Sequence, residues 1–191
     1  MNRKGFTLVE LIAMLVVISI LMVIAIPNIS GIIKKNRESI STEDINKMVG
    51  SAKTKLNVNK AKYPPENDDC VVMTLDFIDS NSDYKTGVNG GTYDRTESVI
   101  VVKKKKMTTT TSKYEYYVRL VEIKGSKTYV IDLVEYDNFA SDPSSHASSL
   151  VELTDEQKFN MASATTTTAK ATITAINNGH ELCSNVTNVY K

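Results

Sequence analysis

Glu10 is the residue whose position most needs a chemical reason. It is the one charged side chain in an otherwise apolar run from Phe6 to Ile26. A carboxylate at the centre of a membrane helix costs roughly 2.5–3.5 kcal/mol, and less near an end. Its natural chemistry there is ion pairing with a cation that is equally short of water. The other reactive side chains form weaker patterns. Cys70 and Cys183 lie too far apart for a metal motif, which leaves either a disulfide or two reduced thiols. If the segment after the run is extracytoplasmic, a bridge closing that loop would contribute roughly 4–5 kcal/mol by restricting the unfolded chain. Lys103, Lys104, Lys105 and Lys106 are the one dense basic cluster, suited to DNA phosphates or, more commonly, to a solvated hairpin tip. His146 and His180 have no partners at ligand spacing, and the pairs Asp68-Asp69 and Asp79/Asp83 do not match a calcium loop. No nucleophile–base–oxyanion pattern and no phosphate loop is present, so no catalytic residue, cofactor or metal is expected and the chain does not read as an enzyme.

These residues need a scaffold, and 191 residues allow one ordinary domain plus a hydrophobic arm. The charge is nearly balanced, with 23 basic and 22 acidic side chains. Two of the basic ones, Arg3 and Lys4, precede the apolar run, so the remainder has no general positive field for nucleic acid. Tryptophan is absent, and serine and threonine are abundant in the second half. That composition suits an exposed, strand-containing domain.

Three readings compete for the apolar arm. A secretory signal peptide would need a small-residue cleavage site, and Ala25-Ile26-Pro27 is a poor one. A membrane anchor fits the length, because the 21 residues from Phe6 to Ile26 make a helix of roughly 30 Å. Arg3 and Lys4 would keep its N-terminal side cytoplasmic, with the bulk of the chain outside. That reading leaves Glu10 without a purpose.

The stretch KGFTLVELI, Lys4–Ile12, supplies one. It resembles the processing site of type IV pilins and of the related pseudopilins of secretion and DNA-uptake machines. The resemblance covers roughly the first thirty residues. It implies cleavage by prepilin peptidase between Gly5 and Phe6, with Phe6 becoming the methylated N-terminal residue. It also implies that Glu10 pairs with the terminal amine of a neighbouring subunit. A free amine and a carboxylate in a low-dielectric bundle are each costly alone and attract strongly together. Their pairing would fix one axial register, as a buried polar group does in a coiled coil. The family usually carries a proline where this chain has Pro27, and its helix continues past it. It often has glycine where this chain has Ser19. The implied fold is a long N-terminal helix packed on an antiparallel sheet.

Beyond Pro27, where a kink or local opening is expected, the pattern becomes amphipathic. Ile45, Met48, Val49, Ala52 and Leu56 form one helical stripe, expected to lie on a sheet, and Tyr63-Pro64-Pro65 ends the helix. The organisation reads as a leader at 1–5, a hydrophobic transmembrane or filament-core helix at 6–27, its amphipathic continuation at 28–62 and a globular head at 63–191. Within the head, a polar connector at Glu66–Glu97 precedes strands at Ser98–Val102, Tyr114–Ile123 and Lys127–Tyr136, the last two joined by a turn at Lys124-Gly125-Ser126. A capping box at Thr154 and Gln157 would start a helix running through Phe159, Ala162, Thr166, Ala169, Ile173 and Ile176 to Asn177-Asn178-Gly179. The four threonines Thr165–Thr168 oppose it on propensity. His180–Lys191 reads as a strand or an extended tail. The architecture expected is α+β, with three or more antiparallel strands on a long helix.

Two function classes follow. One is a structural subunit, anchored in the cytoplasmic membrane before assembly and then part of an extracellular filament. Its partners would be itself or other pilins, prepilin peptidase and the membrane assembly machinery. The other is a binding module: a minor pilin or pseudopilin at a tip, in adhesion, secretion or competence. It would use the Lys103–Lys106 cluster on nucleic acid or the Glu66–Glu97 loop on another ligand.

Overall fold

The computed structural model describes residues 7–79, 84, 86–141, 151–152, 159 and 161–191. Gly5, Phe6, His146, Thr154 and Gln157 lie outside the described residues. Two compact units divide the chain, Met1–Asn36 and Arg37–Lys191.

The first unit is helical from Leu8, the start of α1 (Leu8–Val58). Every described side chain from Thr7 to Leu21 is exposed, so this apolar stretch has no core of its own. The backbone remains α-helical through Pro27, where proline removes a single donor from the ladder. No helix, over its described residues, is long and apolar enough to cross a membrane. The exposed apolar side chains run from Leu8 to Leu21, about 21 Å at 1.5 Å per residue, against roughly 30 Å of hydrocarbon.

The second unit contains the C-terminal part of α1, whose stripe is its main packing surface. Ile45, Met48, Val49, Ala52 and Leu56 are all fully buried. They meet a mixed sheet of six strands in the order β6-β5-β4-β3-β1-β7. The strands are β1 (Asp69–Thr74), β3 (Val99–Lys106), β4 (Ser112–Lys124), β5 (Lys127–Glu135), β6 (Val151–Glu152) and β7 (Asn185–Tyr190). A two-residue strand, β2 (Thr92–Tyr93), pairs beside β4. Short helices α2 (Leu75–Ile78) and α3 (Tyr136–Ser141) follow β1 and β5. The longer α4 (Thr166–Ile176) precedes β7.

Strand alternation assigns side chains to two cores. Val71 and Met73 of β1, Ile100 and Val102 of β3, and Tyr116, Val118 and Leu120 of β4 join the α1 stripe. Cys70 and Val72 of β1 and Val99 and Val101 of β3 fall in the second core, with Ala169 and Ile173 of α4. The sheet is therefore buried on both faces over its central strands.

Three sequence expectations are corrected here. The sheet is not wholly antiparallel, because β7 runs parallel to β1. The supposed polar connector Glu66–Glu97 contains β1, a strand flanked by β3 and β7, together with α2 and β2. A strand buried on both faces shows a continuous apolar run, here Cys70–Met73, with no alternation to mark it. The C-terminal helix does not run unbroken from Thr154. A 3-10 turn at Met161–Ser163 intervenes, and the helix is capped at Thr165. There the hydroxyl of Thr165 accepts from the Thr168 amide, and the hydroxyl of Thr168 accepts from the Thr165 amide. Threonines that oppose a helix interior are favoured at its start. The far end matches expectation. Asn178 (φ 54) and Gly179 (φ 80) are left-handed, and the Gly179 amide donates back to Thr174 O in a Schellman arrangement. Gly125 (φ 61) likewise supplies the tight turn between β4 and β5.

Candidate functional site

The candidate site is the first turn of α1. Thr7 caps it: the Glu10 amide donates to Thr7 Oγ1 at 3.3 Å, and the Thr7 amide donates to Glu10 Oε2 at 2.9 Å. Those bonds make a capping box. The Thr7 hydroxyl also donates to the same Oε2, at 2.8 Å. Thr7 was missed as a partner for Glu10 in the sequence, although Thr7-Leu8-Val9-Glu10 has the T-x-x-E signature of this motif. Glu10, Ala13, Met14, Val17 and Ile18 line one shallow groove along the helix. Their spacing of i, i+3, i+4, i+7 and i+8 puts them on one face.

The sequence-derived candidates in the head with described positions lie in the second unit. Lys103–Lys106 do not form a hairpin tip; they are the last four residues of β3, paired with Ser112–Glu115 of β4. The tip is Met107–Thr111. Strand register puts carboxylates beside the lysines: Lys103 pairs with Asp68 at 3.1 Å and Lys105 with Glu115 at 2.8 Å. Lys104 donates to Pro65 O. Lys103 and Lys105 thus have carboxylate partners, whereas Lys104 meets a neutral carbonyl and Lys106 is exposed.

Cys70 and Cys183 form a disulfide with Cα atoms 5.7 Å apart, buried in the second core. It ties β1 to the segment entering β7. Charged side chains on the sheet are buried but compensated. Arg119, 2% exposed, donates to Asp132 at 2.7 Å and lies 3.7 Å from Glu97. Glu115 receives Lys105, Lys113 and the Tyr117 hydroxyl. Burial pushes its carboxyl up, but those three donors together hold it below the usual carboxylate range. Glu122 accepts from the amides of Asn89 and Gly91 and from Asn89 Nδ2, at 2.7–3.1 Å. A side chain on Gly91 would press its Cβ to 2.3 Å from Ile123 O, so that close approach requires glycine. Asp44 on α1 accepts the Tyr93 hydroxyl at 2.7 Å, and burial raises its carboxyl. These are pairs within the fold of the second unit. Among the described residues no group of His, Cys, Asp and Glu side chains could hold a metal ion.

Residues 1–26 match the prokaryotic N-terminal methylation motif. This chain carries the prepilin signal of type IV pilins and pseudopilins. The Thr7–Glu10 turn and the exposed face from Ala13 to Ile18 fall inside that prepilin signal, and the head lies beyond it. No curated protein and no solved structure matches the chain. The prepilin signal indicates a precursor of pilin-like or pseudopilin type, a structural class.

Proposed function

We propose that the chain is a subunit of a type IV pilus or a related filament, built by packing its N-terminal helices. In this reading prepilin peptidase cuts between Gly5 and Phe6, and Phe6 is methylated. Before assembly the apolar segment anchors the precursor in the cytoplasmic membrane, with its N-terminus inside and its head outside. The observation that carries the reading is an exposed, largely apolar helical segment, Leu8–Leu21, inside the methylation motif. Fourteen exposed side chains from Leu8 to Leu21 need either lipid or other helices around them. In lipid Glu10 is a cost, and in a bundle it can pair with the terminal amine of a neighbouring Phe6. The membrane state therefore serves as a reservoir and the bundle as the destination.

The test is made on cells carrying the assembly machinery. Sheared filaments should contain a chain beginning at methylated Phe6 by mass spectrometry. Replacing Gly5 by a bulky residue should leave the uncut precursor in the membrane. An intact Met1 terminus in filaments would refute the reading.

A further inference from the structure

We propose that Asp44, Tyr93 and Glu122 form a clamp between α1 and the sheet that tightens when it takes up a proton. The inference concerns the second unit alone and is independent of the filament reading. Asp44 lies on α1, one residue before Ile45 of the buried stripe. Its Oδ2 accepts the Tyr93 hydroxyl at 2.7 Å, so β2 is tied directly to the helix. Tyr93 is 6% exposed and stands opposite Glu122 in the β2–β4 ladder. Opposed residues of an antiparallel pair share a face of the sheet. Two carboxylates therefore act on one buried phenol.

The two are not equally provided for. Glu122 accepts from the amides of Asn89 and Gly91 and from Asn89 Nδ2. Among the described residues, Asp44 accepts the Tyr93 hydroxyl alone. Burial is the largest influence on the Asp44 carboxyl and raises it above its ordinary value. Glu43 on α1 and Glu122 on β4 push the same way, while the Tyr93 bond and Lys47 oppose them. Lys47 is itself bonded to Glu43, at 2.5 Å. A raised carboxyl means that the folded chain holds this proton more firmly than the unfolded one. The clamp is therefore complete below the ordinary value and weakens as pH rises through the raised one. The Tyr93 hydroxyl stays a donor throughout, because burial and the Asp44 bond push its own ionisation far up. Glu115, whose carboxyl is lowered, acts with the opposite sign.

The experiment uses the full chain in detergent micelles and compares it with Asp44→Asn. That variant keeps the size and an acceptor oxygen but cannot ionise. Urea midpoints, followed by circular dichroism, are measured for both at a series of pH values. The difference between them is what counts, so Glu115 and every other shared group cancels. At neutral pH the variant should unfold at higher urea than the wild type, by about 0.5 M. The gap should close as pH falls towards the ordinary carboxylate value. A variant weaker than wild type at neutral pH, or a gap that does not change with pH, would overturn the proposal. Tyr93→Phe removes the donor that favours the ionised form, so its midpoint should fall further at neutral pH than in acid. An equal fall at both would overturn it as well. A last readout needs no unfolding: the Asp44 carboxyl carbon, followed by NMR of the wild type in the same micelles, should titrate above its ordinary value. An unshifted titration would refute the clamp.

Discussion

Removing the Cys70–Cys183 bridge should be the most damaging two-atom change available in the head. The cysteines are 113 residues apart in sequence. Closing a loop of that length removes about 16 cal/mol/K of entropy from the unfolded chain, or about 4.8 kcal/mol at 25 °C. Domains of this size are typically stable by about 5–15 kcal/mol, so a large share is at stake. The perturbation is the double substitution Cys70→Ala with Cys183→Ala, which avoids leaving a lone buried thiol. Both side chains are nearly inaccessible, at 0% and 2% exposure, so a small packing loss adds to the entropic one. The assay is urea unfolding of the full chain in detergent micelles, followed by the circular dichroism of the sheet. With a slope of about 2 kcal/mol per molar, the midpoint should fall by about 2 M. Reducing the wild-type protein after unfolding, and refolding it with the thiols blocked by a small reagent, should give a similar shift. A midpoint within about 0.5 M of wild type for the double variant would show that the bridge contributes little, and the loop-closure reasoning would fail for this fold.

Other expectations follow from the buried contacts. Leu56→Ala, in the fully buried α1 stripe, should cost about 2–5 kcal/mol, whereas the exposed Val58→Ala should stay within about 0.5 kcal/mol; paired urea midpoints measure both. Glu115 has a folded pKa below its ordinary value. Its contribution is therefore complete above that ordinary value and is lost as pH falls through the depressed one. Glu115→Gln should flatten the acid limb of a stability-versus-pH curve, and an unchanged limb would contradict the assignment. Thr165→Ala breaks the capping box of α4 and should cost about 0.5–2 kcal/mol, visible as faster amide exchange across Ala169–Ile173.

The α1 stripe was legible from its helical period and the β4–β5 hairpin from its turn. Ile45 to Leu56 repeat at helical spacing against polar neighbours, and Gly125 sits where a two-residue turn needs it. β1 was not legible for the opposite reason. With a core on each face of the sheet, Cys70, Val71, Val72 and Met73 are all buried and no polar residue marks a side. β4 shows the same double burial: Glu115 and Arg119, charged by sequence, are each 2% exposed among compensating charges. Ion pairs of that kind depend on register between distant strands, which a single sequence does not display. In the first turn, the carboxylate drew the chemistry, while the local partner, Thr7, was passed over as one more residue of the recognition stretch.

The parallel pairing of β1 with β7 also sets an order of events. Asp69 is opposite Asn185 in that ladder, so the partner of β1 is supplied by residues far later in the chain. A chain exported outward from an anchored N-terminus would present β1 long before β7 could reach it. During that interval one edge of β1 stays open, with its backbone groups available to any passing strand, and Cys70 waits without its sulfur partner. Such late closure delays folding, since a long-range pairing is formed last. It also makes β7 the strand that closes this edge: a head truncated before Asn185 leaves β1 unpaired on that side.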